Sequence, residues 1–342
     1  MRKKGGLTIG IVATVLLFSA CGEENGSEEQ AEEEETNEET IEFRMASWSS
    51  AIAEQSNLYL AEQEGWFEES GLDFEYIPGE GGGEAVRNIV AGNADIAFAN
   101  LEAVLLAAQQ GEDFKIIYNI YPDNVFNVVS LKENNIQSIE DLEGKDVGVY
   151  SLESGTYQNL QVMLYDAGMT EEDVNVIETG VLNFGPLINE QVDAAAATDT
   201  GLYDAKEQGL GDVNVMEAKD VLNTPADVFV VTEEIFEEER ETLLEFLQVY
   251  RDSAQHMMDY PDEAAAAAVG TAIDGEDEER NRAIIDIRNE VSINEEMEER
   301  GLGWLNAKKM AEVEETYVDI GLIDEPVGIA EMTTNELVEE LD

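Results

Sequence analysis

Apolar and polar positions alternate with two different periods along this chain. Short apolar runs, typical of buried strands, are separated by segments with apolar residues three or four positions apart, which is typical of helices. In the first part of the chain this pattern predicts strands at 42–47, 72–77, 95–99 and 114–121 and helices at 51–64, 84–91 and 101–110. Strands that alternate with helices indicate parallel β-α-β units.

The same order of elements is repeated after residue 127. Strands are predicted at 147–150, 174–177 and 193–197, with helices at 157–167 and 186–191. A strand at 228–232 then returns to the first part of the chain, and helices follow from residue 233 to about residue 322.

This pattern predicts an α/β fold of two lobes, each a mostly parallel sheet flanked by helices. We assign residues 42–126 and 227–325 to lobe 1 and residues 127–226 to lobe 2. Residues 326–342 are expected to form an acidic end of undefined structure. Two segments near 124–129 and 223–231 would cross between the lobes and act as the hinge.

Ligands of open α/β sheets bind beyond the carboxyl ends of the strands. In lobe 1 the loops at that edge are 48–50, 78–83 and 100–102, and in lobe 2 they are 151–156 and 198–200. Free N–H groups at helix N-termini and close backbone approach at glycine can bind a small polar group there. The candidate ligand-binding residues are Trp48, Ser49, Glu54, Gly81, Gly82, Asn100, Ser154, Gly155, Thr156, Phe184, Asp199 and Thr200.

Each kind of candidate also has a structural interpretation. The glycine-rich turn can be a plain β-α connection, and Ser154 and Asp199 can cap the helices that follow them. Asn100 can bond either a ligand or the hinge backbone. Core packing competes with a ligand-stacking role for Trp48 and is the safer interpretation for Phe184. Tyr121 and Tyr157 could also stack on a ligand, but core packing is again the safer interpretation. Trp66 and Trp304 are assigned to packing or to the surface.

Several short motifs accompany these elements. They read GWF and GL at 65–72, PGEGGG at 78–83, AGNADI at 91–96, DLEGKDVGV at 141–149 and QVDAAAAT at 191–198. Together they resemble the ABC-importer solute-binding proteins that capture nitrate, taurine, alkanesulfonates and thiamine-pyrimidine precursors. The resemblance implies a type II periplasmic-binding-protein clamshell that traps a small molecule and delivers it to permease and ATPase subunits, with no chemistry on the ligand and no cofactor. We expect such a protein to be a monomer.

The N-terminus has the features of a lipoprotein signal peptide. Arg2, Lys3 and Lys4 precede an apolar stretch at 7–18, and small residues lead to Cys21. We expect cleavage after residue 20, a diacylated Cys21 and anchoring on the outer face of the cell membrane; an ordinary secretory signal is the alternative. Residues 22–41 are rich in glutamate and predict a disordered tether.

Composition excludes several classes of function. The formal net charge is −60, with 78 acidic against 18 basic residues, so phosphate-contacting basic patches and nucleic-acid binding are not expected. His256 is the single histidine and Cys21 the single cysteine, which leaves no Ser-His-Asp triad and no His-based zinc site. No D-x-D-x-D-G calcium loop is present. A paired-carboxylate enzyme and a clamshell sensor remain as alternatives.

The candidate loops contain acids but no Arg or Lys. Two like charges about 4 Å apart repel by roughly 4 kcal/mol at an effective dielectric constant of 20, which disfavours an anionic ligand. The loops therefore favour a neutral or cationic aromatic N-heterocycle, such as a thiamine pyrimidine precursor or a flavin-like ring, over a sulfonate, taurine or nitrate. Trp48 would stack on the ring and Asp199 would pair with an N–H.

Because acidic residues are spread over the whole body, self-repulsion should destabilise the fold in dilute buffer. The screening length falls from about 30 Å at 0.01 M salt to about 3 Å at 1 M. We therefore expect the thermal unfolding midpoint to rise between millimolar and molar sodium chloride. A midpoint that does not change over this range would contradict this adaptation to salt.

Overall fold

Two mixed β-sheets organise the computed structural model, which describes residues 40–180 and 184–341. In chain order the strands of this part are β1 (Ile41–Ser47), β2 (Leu72–Ile77), β3 (Ile96–Asn100), β4 (Phe114–Tyr121), β5 (Phe126–Leu131), β6 (Asp146–Val149), β7 (Asn175–Glu178), β8 (Ala194–Thr198), β9 (Val213–Glu217) and β10 (Asp227–Thr232). The predicted two-lobed α/β architecture is confirmed.

In each sheet four strands run in one direction and a single strand, β10 in one sheet and β5 in the other, runs in the opposite direction. The first has the order β2-β1-β3-β10-β4 and the second the order β7-β6-β8-β5-β9. In the first sheet β1 is parallel to β2 and β3, while β10 runs antiparallel between β3 and β4. In the second, β6 is parallel to β7 and β8, while β5 is antiparallel to β8 and β9. We call the first sheet with its helices lobe 1 and the second lobe 2.

Helices cover both sheets. The α-helices of the described residues are α1 (Ser56–Gln63), α2 (Trp66–Glu69), α3 (Gly82–Val90), α4 (Leu101–Ala108), α5 (Gly155–Asp166), α6 (Gly185–Ile188), α7 (Asp199–Glu207), α8 (Glu233–Glu238), α9 (Arg240–Asp259), α10 (Pro261–Ala268), α11 (Glu278–Val291), α12 (Glu295–Arg300), α13 (Ala307–Asp319) and α14 (Ile329–Met332). Residues 53–55, which were expected to be α-helical, form a separate 3₁₀ turn before α1. None of the helices in the described ranges is long and apolar enough to cross a bilayer.

The core of lobe 1 is aromatic. Phe43 on β1 packs against Phe246 on α9 with ring centroids 4.7 Å apart, and Phe67 stacks on Phe74 at 4.2 Å. The apolar face of α9 is thus fixed to the sheet on the side opposite α3 and α4. This packing places the carboxyl ends of β1 and β3 towards lobe 2.

Two short segments, 122–125 and 218–226, carry the chain between the sheets. They are hydrogen-bonded to each other: Asn124 N–H donates to Asn223 Oδ1 at 2.9 Å, and Asn223 Nδ2 donates to Asp123 Oδ1 at 2.8 Å. Ala226 N–H also donates to the Tyr121 carbonyl at 2.8 Å. The crossings therefore form a paired connection whose backbone groups are satisfied.

Residues 326–341, the acidic end whose structure the sequence left open, are packed on lobe 1. Thr334 N–H donates to the Ile116 carbonyl at 3.0 Å, and the Leu337 side chain is completely buried in the apolar core. The acidic side chains between these anchors remain at the surface, which is why composition alone suggested a loose end. The predicted signal peptide, Cys21 and nearly all of the tether lie outside the described residues.

This packing gives a stability prediction. Removing the buried Leu337 side chain by Leu337→Ala should lower the free energy of unfolding by about 2–5 kcal/mol, since a large-to-small change leaves a cavity. Chemical denaturation measures the loss. Glu336→Ala, at the exposed neighbouring position, should change stability little, and equal effects of the two variants would contradict docking of this segment.

Candidate functional site

A small cavity of about 30 Å³ lies at the seam between the lobes. The residues around it are Trp48, Gly81, Gly82, Asn100, Val125, Phe126, Tyr150, Ser154, Gly155, Thr156, Thr198, Asp227 and Arg288. They come from the carboxyl ends of strands in both lobes, from the crossing segment and from α11. The rule that ligands bind beyond strand ends thus leads to one place in the structure.

The lobes are closed on each other around this cavity. Gly83 N–H of lobe 1 donates to the Glu153 carbonyl of lobe 2 at 3.1 Å, and Arg87 pairs with the Glu153 carboxylate at 2.7 Å. A Cβ at Gly81, whose φ is +150°, would lie only 2.6 Å from the same carbonyl. The glycine-rich turn therefore allows close backbone contact between the lobes in addition to lining the cavity.

Arg288 is the main residue that the loop analysis did not find. Its side chain is buried, and Nη1 donates to Asp199 Oδ1 at 2.6 Å and Nη2 to Thr200 Oγ1 at 2.9 Å, both in lobe 2. Nε donates to Glu54 Oε2 in lobe 1, and the guanidinium carbon lies 5.1 Å from the Tyr121 ring centroid. One cation thus joins acids of both lobes.

The position of Arg288 follows from α11. Asn281, Ile284, Ile285 and Arg288 have the spacing i, i+3, i+4, i+7 of one helix face, and all four are buried. The sequence signal that could have identified Arg288 was a basic residue on the otherwise buried face of a helix. It lay outside the strand-end loops, so the absence of Arg and Lys from those loops does not extend to the whole site.

The charges at Arg288 are balanced in place. Burial acts to lower the pKa of its guanidinium, but Asp199 and Glu54 outweigh that effect and raise it. Burial also disfavours the charged form of Glu54 and so raises the pKa of its carboxyl group, and the attraction of Arg288 opposes this only in part. With two carboxyl groups on one guanidinium, the positive charge is already neutralised before a ligand arrives.

Two buried polar atoms of the cavity residues have no hydrogen-bond partner among the described residues: Trp48 Nε1 and Asn100 Oδ1. The Asn100 amide is fixed because its Nδ2 donates to Glu102 Oε2 at 2.8 Å and to Gln158 Oε1 of lobe 2 at 2.6 Å. Its Oδ1 therefore remains available as an acceptor. Unpaired buried polar atoms are costly, and a ligand that pairs with them gains accordingly.

Asp227 adds a carboxyl group to the same cavity. It is the first residue of β10, where the chain enters lobe 1 from the crossing segment, and it is only 5% exposed. Burial, assisted by the negative charge of Glu54, raises the pKa of this carboxyl to about 8, against the attraction of Arg288. The cavity therefore contains an acid that is mostly protonated at neutral pH.

A second, more open pocket of about 290 Å³ shares Trp48, Tyr150 and Thr198 with the cavity. Its remaining lining residues are Ser49, Ser50, Ile52, Glu54, Thr200, Gly201, Asp204, Gln208, Ile273, Asp274, Arg280 and Ile284. Arg280 of α11 is paired across this pocket with Asp204 of α7 and with Asp274 at 2.9 Å. The pocket is thus the outer continuation of the cavity.

The predicted residues divide between these two places. Trp48, Gly81, Gly82, Asn100, Ser154, Gly155 and Thr156 line the cavity, while Ser49, Glu54 and Thr200 line the outer pocket with Trp48. Asp199 lines neither and is held by Arg288. Ser154 is also the N-cap of α5, whereas Thr198, not Asp199, caps α7.

Phe184 is placed differently from the prediction. Its side chain is buried in the lobe 2 apolar cluster with Val129, Leu187 and Leu202, so it does not line the cavity. The aromatic residues at the cavity are instead Trp48, Phe126 and Tyr150. Tyr150 directly follows β6, so the strand-end rule could have found it, whereas Phe126 is part of a strand that the sequence analysis did not delimit.

Tyr121 is buried beneath Arg288, while Tyr157 and Trp66 are partly buried against the core. Trp304 lies beneath the Arg300 guanidinium at 5.1 Å. No group of three or more His, Cys, Asp or Glu side chains in the described ranges is arranged to hold a metal ion.

Comparison with known proteins identifies the family. The family model described as NMT1/THI5 like matches residues 53–264, which is more than half of the chain. The chain belongs to this family. The predicted resemblance is therefore confirmed.

Individual relatives are distant in sequence. The riboflavin-binding protein RibY of Chloroflexus aurantiacus is 24% identical over 350 residues, covering 99% of each chain. The formylaminopyrimidine-binding protein of Halalkalibacterium halodurans is 22% identical over 259 residues, covering 75% of this chain and 76% of the relative. The alkanesulfonate-binding protein SsuA of Xanthomonas axonopodis pv. citri, solved with MOPS bound, has a TM-score of 0.67 at 14% identity and covers 87% of this chain and 99% of its own. The likeness to SsuA confirms the periplasmic-binding-protein fold.

The Arg288 cluster gives a stability prediction. Arg288→Met removes the cation but keeps the bulk, so Glu54 is left buried and unpaired, and the free energy of unfolding should fall by about 3–5 kcal/mol. Arg282→Met on the same helix, whose guanidinium pairs with Asp262 and Asp286 at the surface, is the matched control and should lose much less. Denaturant titration that finds equal losses would refute a special role of the buried pair.

Proposed function

We propose that this protein is the extracytoplasmic substrate-binding component of an ABC importer and captures a small solute between its lobes. The observation that carries the proposal is the cavity at the seam, which is lined by side chains of both lobes next to the hinge crossings. Contacts to both lobes make the closed form the better binder, so a ligand shifts the population towards closure. A permease can then recognise the closed form.

The closed cavity of about 30 Å³ is much smaller than the roughly 300–1,000 Å³ of typical small-molecule sites. Binding therefore requires the lobes to stand further apart than in this structure. The interlobe contacts that must separate include Gly83–Glu153, Arg87–Glu153, Asn100–Gln158, Arg280–Asp204 and the bonds of Arg288 to Asp199 and Thr200. They are polar, which suits a reversible closure.

The ligand class that the site supports best is a neutral or cationic aromatic N-heterocycle. Trp48 of lobe 1 and Phe126 and Tyr150 of lobe 2 provide aromatic faces on both sides of the seam. Arg288 is neutralised by Glu54 and Asp199, so an anion would gain little from it and would lie near their carboxyl groups. The names of RibY and of the formylaminopyrimidine-binding protein point to the same class.

A sulfonate, taurine or nitrate ligand is the second candidate. Three of the five N–H donors of Arg288 form the hydrogen bonds to Glu54, Asp199 and Thr200, so the other two could reach an oxyanion. The sulfonate-binding structural relative gives this candidate its weight. Titration with both ligand classes separates the two.

An enzymatic role is not supported by the site. The single histidine, His256, lies beside Glu263 with Nε2 and Oε2 2.8 Å apart and does not line the cavity. A clamshell sensor would use the same fold and would be distinguished by a histidine kinase, in place of a permease, encoded beside it.

We also propose that Cys21 is lipidated and anchors the protein outside the cell membrane through the acidic residues 22–41. This proposal rests on the sequence, since residues 21–39 precede the described part of the chain. Metabolic labelling with a radioactive fatty acid should mark the wild type and not Cys21→Ser.

The direct test of the function is to identify the bound solute. The protein purified without refolding is denatured, and the released small molecules are analysed by mass spectrometry. Calorimetric titration with an aminopyrimidine, riboflavin and an alkanesulfonate follows. Tight sulfonate binding without binding of either heterocycle would overturn the preferred ligand class, and no binding of any small solute would overturn the function.

Trp48→Ala should weaken heterocycle binding at least tenfold, which equals about 1.4 kcal/mol, because one face of the ligand loses its stacking partner. Isothermal titration measures the change. Trp66→Ala is the control, since Trp66 packs near His256 with ring centroids 5.4 Å apart and away from the cavity. Equal affinities of wild type and Trp48→Ala would remove Trp48 from the binding site.

A further inference from the structure

We propose that Asp227 determines ligand specificity and that it acts as a neutral carboxylic acid, pairing with a ring edge that has an acceptor next to an N–H donor. Amidine-like edges of aminopyrimidines and imide or lactam edges of flavin-like rings have this pattern. The inference rests on the proposed function and specifies the chemistry of the ligand that the same site would bind.

The location of Asp227 supports this role. Asp227 lines the cavity, and its carboxyl group forms no side-chain hydrogen bond with the described residues. Its backbone is held on both sides, because Asp227 is paired with Asn100 on β3 and with Tyr121 on β4. The strand therefore fixes the direction of a polar group that the protein itself leaves unpaired.

The surroundings of Asp227 keep it protonated. The acids nearby are Glu54 of the 3₁₀ turn and Glu102 of α4, and the cation is Arg288 of α11. The phenols of Tyr121 on β4 and Tyr250 on α9 are also close enough to interact with it. Burial is the largest influence and disfavours the ionised form, while Arg288 is already engaged by Glu54 and Asp199.

A protonated carboxyl group has one O–H donor and one carbonyl acceptor side by side. It can donate to a ring nitrogen or carbonyl and accept from the adjacent N–H in a two-point pair. A carboxylate could only accept, and it would bind a cation or a pair of N–H groups instead. The neutral form therefore selects mixed donor–acceptor edges.

The other unpaired atoms of the site complete the pattern. Asn100 Oδ1 is an acceptor and Trp48 Nε1 is a donor, and both are buried without a partner in the described part of the chain. A planar heterocycle that pairs with Asp227 can use a second N–H on Asn100 and an acceptor on Trp48. An alkyl sulfonate offers no N–H and would leave Asn100 Oδ1 unpaired.

The test compares wild type, Asp227→Asn and Asp227→Leu by titration with an aminopyrimidine and with riboflavin. Asn keeps a donor beside an acceptor and does not ionise, whereas Leu has neither. For the heterocycle that binds the wild type, we expect the affinity of the wild type to fall about tenfold from about pH 7 to about pH 9, as the carboxyl group loses its proton. Asp227→Asn should bind within a few-fold of the wild type at about pH 7 and show no such fall, and Asp227→Leu should lose binding at both pH values.

Unfolding temperatures measured without ligand separate a failure of the Asp227 inference from a failure of the proposed function. An acid whose pKa is raised by folding stabilises the folded state below its unfolded pKa of about 3.9, and this stability is lost as pH rises towards about 8. The unfolding temperature of Asp227→Asn should therefore rise relative to that of the wild type as the pH increases from about 4 to about 8. Asp220→Asn, at an exposed acid of the crossing segment, should show no such gain.

Three results would overturn the inference. The first is a wild-type affinity that rises with pH while Asp227→Asn loses binding, which would indicate a carboxylate paired with a cationic ligand. The second is the same pH profile in wild type and Asp227→Asn, which would leave the proposed function intact. The third is no heterocycle binding by the wild type at any pH, which would overturn the preferred ligand class as well, whatever the unfolding temperatures show.

Discussion

The buried guanidinium of Arg288 is the interaction on which the arrangement of the seam depends. It lies between Glu54 of lobe 1 and Asp199 and Thr200 of lobe 2, so neither lobe alone provides its full set of partners. An uncompensated charge in such a place is expensive. Glu54 compensates the cation within lobe 1, and the closed form adds Asp199 of lobe 2 as a second carboxyl partner. In a chain with a formal charge of −60, this balance also reduces the repulsion between acids where the lobes meet.

The fold brings this cluster and the cavity together. The strands β1 and β3 of lobe 1 are parallel to each other, as are β6 and β8 of lobe 2, and the carboxyl ends of both pairs lie at the seam. Around the cavity, aromatic faces come from both lobes, polar atoms of Asn100 and Trp48 remain unpaired, and Asp227 adds a buried carboxyl group. Our proposal of a flat ring with hydrogen-bonding edges, in preference to a compact anion, rests on this combination.

Eight of the ten strands in the described residues, the two lobes and the strand-end location of the cavity could be predicted from the sequence, because apolar runs and helix-period segments alternate clearly; β5 and β9 were not delimited. Trp48, Asn100 and the 154–156 turn could be found for the same reason, since each directly follows a strand or opens a helix. Arg288 could not be found by that rule, because it is far away in the chain and reaches the site from a helix. Phe184 has no local signal that separates a core position from a cavity wall, because it is an apolar ring beside a predicted loop. The sequence left the structure of segment 326–341 open, because its few buried anchors lie among acids.

The pairing of β5 with β9 has an evolutionary consequence. Asn127 and Glu217 are register partners, so the chain enters and leaves the second sheet at adjacent points. Lobe 2 is therefore an insertion into lobe 1 that is connected through two adjacent strands, β5 and β9. Mutations on its ligand-facing loops can accumulate without disturbing the first sheet, and the two walls of the site can diversify at different rates. Such modularity explains how one scaffold can serve relatives whose names specify chemically unlike cargos.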